Sequence, residues 1–266
     1  MIHLLRKIID FGIGVFGLFV FALLALAVEV GFQIGRARSR AATGLNIQTA
    51  DVSTLTTGMI GFVAFTLAVT IGIAQDRFEA RRQATLDEAK TIGTAWLRTG
   101  LFGASAKPIA GLIEEYARGQ LAYLVATSPE AAAMALARTD TLQKAIWQGT
   151  LPLVPAMEPD LASTLVSSLN DMFDASLVQR HSMESGAPTE IMLMLLVGAM
   201  LAAGALGYQM GLAGRRQLVL TLLLLIMVSG GMLMIVDFNR PRDGFLIVDT
   251  APLVWTIEGF ASGPAH

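Results

Sequence analysis

Long apolar and polar blocks alternate along this chain. Two apolar stretches, at about 11–35 and 58–74, come first; a mostly polar block, 75–190, follows, and two more apolar stretches lie at about 191–212 and 218–236. Each apolar stretch is close to the roughly 20 residues that a helix needs to cross about 30 Å of hydrocarbon. The pattern predicts an all-α polytopic membrane protein, with four transmembrane helices in a 2 + 2 arrangement.

The polar block carries the signals of a helical bundle. Pro129 precedes Glu130, and Pro159 precedes Asp160, so each pair places a proline and an acid in the first turn of a helix. The stretch 75–98 has no proline, which predicts that the second membrane helix continues into the block. No run of alternating polar and apolar residues predicts a strand. The block is therefore expected to be a helical domain.

These blocks define four predicted regions. They are a first transmembrane hairpin, 1–74, a cytoplasmic helical domain, 75–190, a second transmembrane hairpin, 191–236, and a cytoplasmic C-terminal tail, 237–266. An even number of spans puts both termini and the block on one side of the membrane. Lysines and arginines near the span ends are more numerous on that side, so the positive-inside rule favours a cytoplasmic block and cytoplasmic N- and C-termini.

Composition narrows the function classes. Hydrophobic residues make up 54% of the chain and charged residues 15%, which is typical of a membrane protein. The net charge of −2 argues against a nucleic-acid partner. The chain has no cysteine, which excludes disulfides and thiolate metal sites. No span holds paired acids or a Ser/His or His/Glu arrangement, so the chain is not predicted to be an enzyme.

One polar series on the predicted last helix of the block invites a metal interpretation, since its members recur at helical spacing: Asn170, Asp171, Asp174 and His181. A solvated helix face or a subunit contact explains the series more simply. We therefore predict no metal site and no cofactor.

Glu29 is the only ionisable residue well inside a predicted span. Carboxylates within a membrane are energetically costly and are by default candidates for function. However, only six less polar residues separate Glu29 from Arg36, which would place the carboxylate near the headgroups on the far side. Both interpretations stay open at this point.

The second span has two distinct faces. Small residues form a stripe that permits close helix approach: Thr57, Gly61, Ala64, Ala68 and Gly72. The bulky residues Phe62, Phe65 and Val69 fall largely on another side. If this helix lines a central axis, these three residues form a hydrophobic pore constriction. The alternative is that they face lipid or a neighbouring helix.

A charged segment, 76–82, follows the second span. If several subunits surround a pore, Arg77, Glu79 and Arg81 would shape a cytoplasmic vestibule, because rings of charged side chains select ions. Alternatively, the arginines anchor the helix at the headgroups, supported by a pair of Glu79 with Arg82.

Several motifs together resemble the bestrophin-like domain family of bacterial membrane proteins, over roughly residues 55–255. They are Asp76-Arg77-Phe78-Glu79-Ala80-Arg81-Arg82, Asp87-Glu88-Ala89, Ile92-Gly93-Thr94-Ala95-Trp96-Leu97-Arg98, Gly207-Tyr208 with Gly211 and Gly214-Arg215-Arg216, and Asp237 with Arg240-Pro241-Arg242-Asp243-Gly244. The family has no established activity.

The 2 + 2 layout and the charged segment are also similar to those of bestrophin channels. That more distant resemblance implies a pentameric channel for small ions, with the second helix lining the pore. In bacterial bestrophins one more residue separates the first Asp-Arg from the later Glu-Ala-Arg, and an aromatic pair stands where this chain has Phe78.

The expected function is therefore that of a homo-oligomeric channel in the lipid bilayer of the bacterial inner membrane, passing small ions. The alternative is a non-conducting membrane scaffold whose cytoplasmic helical domain recruits a partner protein.

Overall fold

The computed structural model describes residues 12–41, 49–156, 158–186 and 189–261. Within these ranges the chain is all-helical, with two short 3₁₀ segments at Gly100–Ala106 and Val154–Ala156. The α-helices are α1 (Ile13–Ala41), α2 (Thr49–Thr99), α3 (Lys107–Leu124), α4 (Pro129–Thr150), α5 (Pro159–Glu184), α6 (Thr189–Ala213), α7 (Leu218–Phe238) and α8 (Ala251–Phe260).

Four of the described helices, α1, α2, α6 and α7, are long and apolar enough to cross a membrane. Two precede the polar block and two follow it, so the predicted all-α fold and its 2 + 2 order are confirmed. α2 continues to Thr99, as the proline-free stretch predicts.

The connection between the first two apolar stretches, 36–57, is largely helical, because α1 runs on to Ala41 and α2 begins at Thr49. Arg38 and Arg40 lie in the last turn of α1, where cationic side chains favour the negative end of the helix dipole. The remaining part of that connection, 42–48, lies outside the described residues, as does the start of the first predicted stretch.

The chain divides into two compact units, and the first consists of Met1–Asp76 and Gly186–Asn239. Its α1 and α6 approach each other along glycines. A Cβ on Gly31 would overlap the carbonyl oxygen of Gly204, and a Cβ on Gly211 would overlap that of Phe32. Backbones that come this close require small residues at the contact.

α7 completes the described packing of this first unit. Leu233 lies against Gly17 of α1, and Leu67 of α2 lies against Gly231 of α7. Val20 and Leu24 of α1 are fully buried. Apolar side chains and glycines therefore hold these helices together by van der Waals contact, as is usual where the surrounding lipid is itself apolar.

The second unit consists of Arg77–Ser185 and Arg240–His266. Its core contains the buried side chains of Ile92, Ile113, Tyr116, Ile146, Leu165 and Met172. Ser128 caps α4 by accepting a hydrogen bond from the Ala131 amide at 3.1 Å. The helix starts predicted at Pro129 and Pro159 are both confirmed.

The segment that the sequence marked only as a C-terminal tail contributes α8 to this second unit. Leu253 is fully buried, and the ring of Phe260 lies 4.9 Å from the ring of Trp96, centroid to centroid. The Thr256 hydroxyl donates to the Ala89 carbonyl at 3.3 Å. The aromatic and apolar positions of α8 thus complete the core of the helical bundle.

Candidate functional site

The membrane part of α2 buries one narrow stripe within the first unit. Thr56, Val63, Thr70 and Ala74 are buried and recur at helical spacing. The two threonine hydroxyls donate to carbonyls of their own helix, at 2.8 Å for Thr56 and 2.7 Å for Thr70. Their polar groups are therefore satisfied, and the stripe packs as an apolar surface.

The three predicted constriction residues lie outside that stripe. Phe62, Phe65 and Val69 have relative exposures of 62%, 68% and 46%. On the small-residue stripe, a Cβ added to Gly61 or Gly72 would meet no described atom within 4 Å. A single chain therefore leaves both the bulky face and the small-residue face of α2 open.

α2 is also the least enclosed of the four described apolar helices. Only 17% of the residues in its most apolar stretch are buried, against 28–39% in α1, α6 and α7. In a membrane these open faces contact either lipid or other copies of the chain.

In the charged segment after the span, 76–82, the arginines differ in their exposure to water. Glu79 and Arg82 form an exposed ion pair at 3.4 Å. Arg77 is partly exposed. Exposed pairs of this kind contribute about 0–1 kcal/mol to stability. Their charges remain accessible to ions in the surrounding water.

Arg81 points the other way, into the second unit, and its side chain is 1% exposed. Its Nε donates to the Ser182 carbonyl at 3.0 Å, and its Nη2 donates to the Ser185 carbonyl at 2.6 Å. These carbonyls end α5, where the helix dipole is negative. Burial lowers the pKa of Arg81, and the charge of Arg77 lowers it further. In this arrangement Arg81 holds the end of α5 and does not present its charge to a water-filled vestibule.

A buried polar cluster lies deeper in the second unit, and four helices contribute to it. The Gln120 Nε2 group of α3 donates to the Tyr116 hydroxyl at 2.7 Å and to the Ser176 hydroxyl of α5 at 2.5 Å. Gln143 of α4 donates to the Tyr116 hydroxyl at 3.1 Å. Glu88 of α2 is fully buried among these helices.

Among the described residues, neither carboxyl oxygen of Glu88 has a hydrogen-bond partner. Burial raises the pKa of Glu88 to about 8, and the Ser176 hydroxyl opposes this shift without reaching hydrogen-bond geometry. Burial, followed by the charge of Glu88, raises the pKa of Tyr116 to about 12. At neutral pH Glu88 therefore holds a proton.

Sequence reasoning missed the role of Glu88, although a signal was present. Glu88 stands four residues before Ile92 and seven before Ala95, both of which are fully buried. Extending the apolar face of α2 backwards at that spacing places the carboxylate on the core side of the helix.

In the first unit, Glu29 of α1 forms an ion pair with Arg216, which lies in the loop between α6 and α7. Arg216 donates from Nη1 to one carboxyl oxygen at 2.8 Å and from Nη2 to the other at 3.1 Å. Gln33 also donates to the carboxylate at 3.1 Å, and the guanidinium lies 4.1 Å from the centre of the Phe32 ring. Glu29 thus pairs with Arg216 rather than with the nearby Arg36, as charged residues of membrane segments commonly pair with one another.

The polar series on α5 is solvated. Asn170, Asp171, Asp174 and His181 are all exposed. Across the part of the chain that the structure describes, no three His, Asp or Glu side chains are grouped to hold a metal ion.

Comparison with solved structures relates the fold to known membrane proteins. A crystal structure of a membrane protein aligns with a TM-score of 0.64 and 14% identity, covering 91% of this chain and 96% of the other. A second crystal structure of a membrane protein has a TM-score of 0.61 and 14% identity, covering 93% of this chain and 99% of the other. A bacterial bestrophin homolog from Klebsiella pneumoniae has a TM-score of 0.59 and 16% identity, covering 89% of this chain and 94% of the other.

These likenesses show the fold, and a sequence comparison supplies the family. No curated protein sequence matches the chain. The family model of the bestrophin-like domain matches residues 17–253, and so covers most of the chain. The chain therefore belongs to the bestrophin-like family.

Proposed function

We propose that this protein is a homo-oligomeric channel for small ions, in which α2 from each subunit lines the pore. The observation that carries the proposal is the pair of open faces on α2. The small-residue face suits close contact with a neighbouring subunit, and the bulky face suits the axis of a ring. The bestrophin-like fold supports a channel-like membrane protein.

In this proposal Phe62, Phe65 and Val69 form the constriction. Rings of exposed apolar side chains can gate a pore by dewetting, because water leaves a narrow apolar passage. Arg77 and Glu79 shape the vestibule at the end of the pore. Arg81 does not line the vestibule. It donates to carbonyls at the end of α5 and so fixes the position of α2, which carries Arg77 and Glu79.

We place the protein in the inner membrane of a bacterium, with the helical bundle and both termini in the cytoplasm. The distribution of basic residues near the span ends supports this orientation. A ring of five subunits is the assembly that the resemblance to bestrophins implies.

Two measurements test the proposal. Native mass spectrometry of the full chain in nanodiscs should give a closed ring of more than three subunits, and a monomer or dimer would overturn the proposal. Ion flux into proteoliposomes should rise in the double variant Phe62→Ala with Phe65→Ala, because smaller side chains widen the constriction.

The matched control for the flux measurement replaces Leu18 of α1 and Leu220 of α7 by alanine. Both are exposed apolar side chains on other helices, so flux should equal that of the wild type. If neither the wild type nor the Phe62→Ala, Phe65→Ala variant passes ions, the channel proposal fails.

One observation favours the scaffold as a second candidate. The adjacent Leu177 and Val178 of α5 and Met134 of α4 are exposed apolar side chains on the helical bundle. Leu177 and Val178 are neighbours, and apolar residues that are exposed together can mark a surface that binds another protein. A stoichiometric partner that copurifies from native membranes, together with an absence of ion flux, would favour this function over the channel.

A further inference from the structure

An apolar groove of about 310 Å³ lies along the first unit, between α1 and α7. Its apolar part is lined by Phe21, Ala25, Leu222 and Leu225. Its other end is polar, formed by Glu29, Arg216 and Gln217. A long apolar passage with a polar mouth matches a molecule that is itself amphipathic.

The depth of the mouth follows from helix geometry. Glu29 comes sixteen residues after Ile13, the first residue of α1, a distance of about 24 Å along a helix axis. The hydrocarbon layer is about 30 Å thick. The carboxylate and its partner Arg216 therefore lie close to one headgroup layer, and the apolar part of the groove extends from there into the acyl chains.

Arg216 is held in a fixed orientation and keeps donors free at this mouth. Glu29 accepts from both of its terminal nitrogens, and Phe32 covers one face of the guanidinium. A guanidinium carries five N–H groups, and within the described part of the chain three remain after the two bonds to Glu29. The Arg216 side chain is 46% exposed. It therefore presents oriented, charged donors to the headgroup layer, a geometry that suits phosphate oxygens.

Two further features make the mouth attractive to an anion. α7 begins at Leu218, and Gln217 makes no side-chain cap, so the positive end of the helix dipole faces this layer. The Ser39 hydroxyl donates to the Leu212 carbonyl at 3.4 Å, which places the end of α1 beside the end of α6. The exposed arginines of that α1 end are Arg36, Arg38 and Arg40.

We propose that this groove binds one anionic phospholipid, with an acyl chain between α1 and α7 and the phosphate on Arg216 and Gln217. Charge complementarity favours this occupant, because one lipid molecule supplies both the apolar chain and the anion that the groove accommodates. The site does not depend on ion conduction, so a failure of the channel proposal would leave the lipid proposal unchanged.

The test uses the full chain in nanodiscs made from an equimolar mixture of phosphatidylglycerol and phosphatidylcholine, analysed by native mass spectrometry. The wild type should retain at least one phosphatidylglycerol per chain, with a several-fold preference over phosphatidylcholine. Ala25→Trp fills the apolar part of the groove and should abolish retention. Leu26→Trp is the matched control, since Leu26 is exposed on the same helix and does not line the groove.

A second variant keeps the test decisive if Ala25→Trp fails to fold. Glu29→Gln combined with Arg216→Gln removes both charges, so no unpaired charge stays in the membrane. This variant should still admit an acyl chain but lose the preference for phosphatidylglycerol.

Equal retention of the two lipids by the wild type would overturn the proposal. A preference for phosphatidylglycerol that survives both variants would also overturn it, since the lipid would then lie elsewhere. If Ala25→Trp instead releases subunits from the oligomer while Leu26→Trp does not, the groove is a contact between copies and the lipid proposal is wrong.

Discussion

Gly207 of α6 lies so close to Val28 of α1 that a Cβ on Gly207 would overlap the Val28 carbonyl oxygen. The same contact recurs at Gly35, whose Cβ would overlap the Tyr208 carbonyl oxygen. The two helices therefore meet backbone to backbone, and the first and second predicted hairpins are joined by this contact.

Gly207→Ala should destabilise the protein, because the added methyl group forces α1 and α6 apart. Overpacking of this kind costs about 1–3 kcal/mol. Thermal unfolding of the full chain in detergent measures the effect. Gly230→Ala is the matched control on α7, where a Cβ would meet no described atom within 4 Å. Equal stability of the two variants would contradict the close contact.

Glu88→Gln should stabilise the protein increasingly as the pH rises. Below the ordinary carboxyl value of 4.5, the folded and unfolded chains both hold the proton. Between 4.5 and about 8, the unfolded chain has lost that proton while the folded chain retains it. The unfolded chain then binds fewer protons, so stability falls by up to about 1.4 kcal/mol per pH unit, and the fall ends above the folded pKa.

Thermal unfolding at pH 5, 6.5 and 8 checks this prediction. The gain from Glu88→Gln should be small at pH 5 and largest at pH 8, because glutamine has the shape of the protonated acid. Asp87→Asn is the adjacent contrast. Hydrogen bonds from Gln83 and then Lys90 lower the pKa of Asp87, so its contribution is present at pH 5 and above and is lost in acid. A pH-independent difference between Glu88→Gln and the wild type would contradict the buried, protonated carboxyl.

Arg81→Met should loosen the end of α5. The Ser182 and Ser185 carbonyls would each lose a charged donor, and an unmet polar group costs about 1–3 kcal/mol. Arg81→Lys should recover part of the lost stability, because lysine keeps the charge but lacks the planar guanidinium whose N–H groups reach two carbonyls.

The measurement is again thermal unfolding, with Arg82→Met as the control. Arg82 is exposed and pairs with Glu79 at the surface, so its loss should cost less than about 1 kcal/mol. Equal effects at the two adjacent arginines would contradict the buried role of Arg81.

Glu79→Gln should shift the reversal potential of the proposed channel towards that of the anion in a potassium chloride gradient. The substitution removes one negative charge per subunit from the vestibule, so local cation concentration falls. Glu115→Gln makes the same charge change at an exposed position of α3 and should leave the reversal potential unchanged. Identical shifts for the two variants would mean that Glu79 does not line the ion path.

Much of the architecture could be read from local sequence. Hydropathy over about 20 residues predicts a membrane helix without knowledge of its neighbours. Proline and an acid at a first turn mark a helix start through the free amides of that turn alone, which is why the starts at Pro129 and Pro159 were predicted. The bulky and small faces of α2 likewise follow from helical periodicity.

Periodicity does not say which face of a helix is covered. Arg81 and Glu79 stand two residues apart, yet one is buried against α5 and the other is exposed. The extent of α1 and the role of α8 were also missed, because polar residues extend a membrane helix beyond the bilayer and a short helix is fixed by the core it joins.

The sequence by itself therefore determined the all-α class, the four spans and the helical bundle between them, since these depend on hydropathy and on helix-terminal chemistry that acts within a few residues. The tertiary structure decided which charged side chains form pairs and which are buried and protonated. Glu29 and Arg216 are 187 residues apart, and only the close packing of α1 with α6 and α7 brings them together. Likewise, Glu88 keeps its proton because helices distant in sequence exclude water from it.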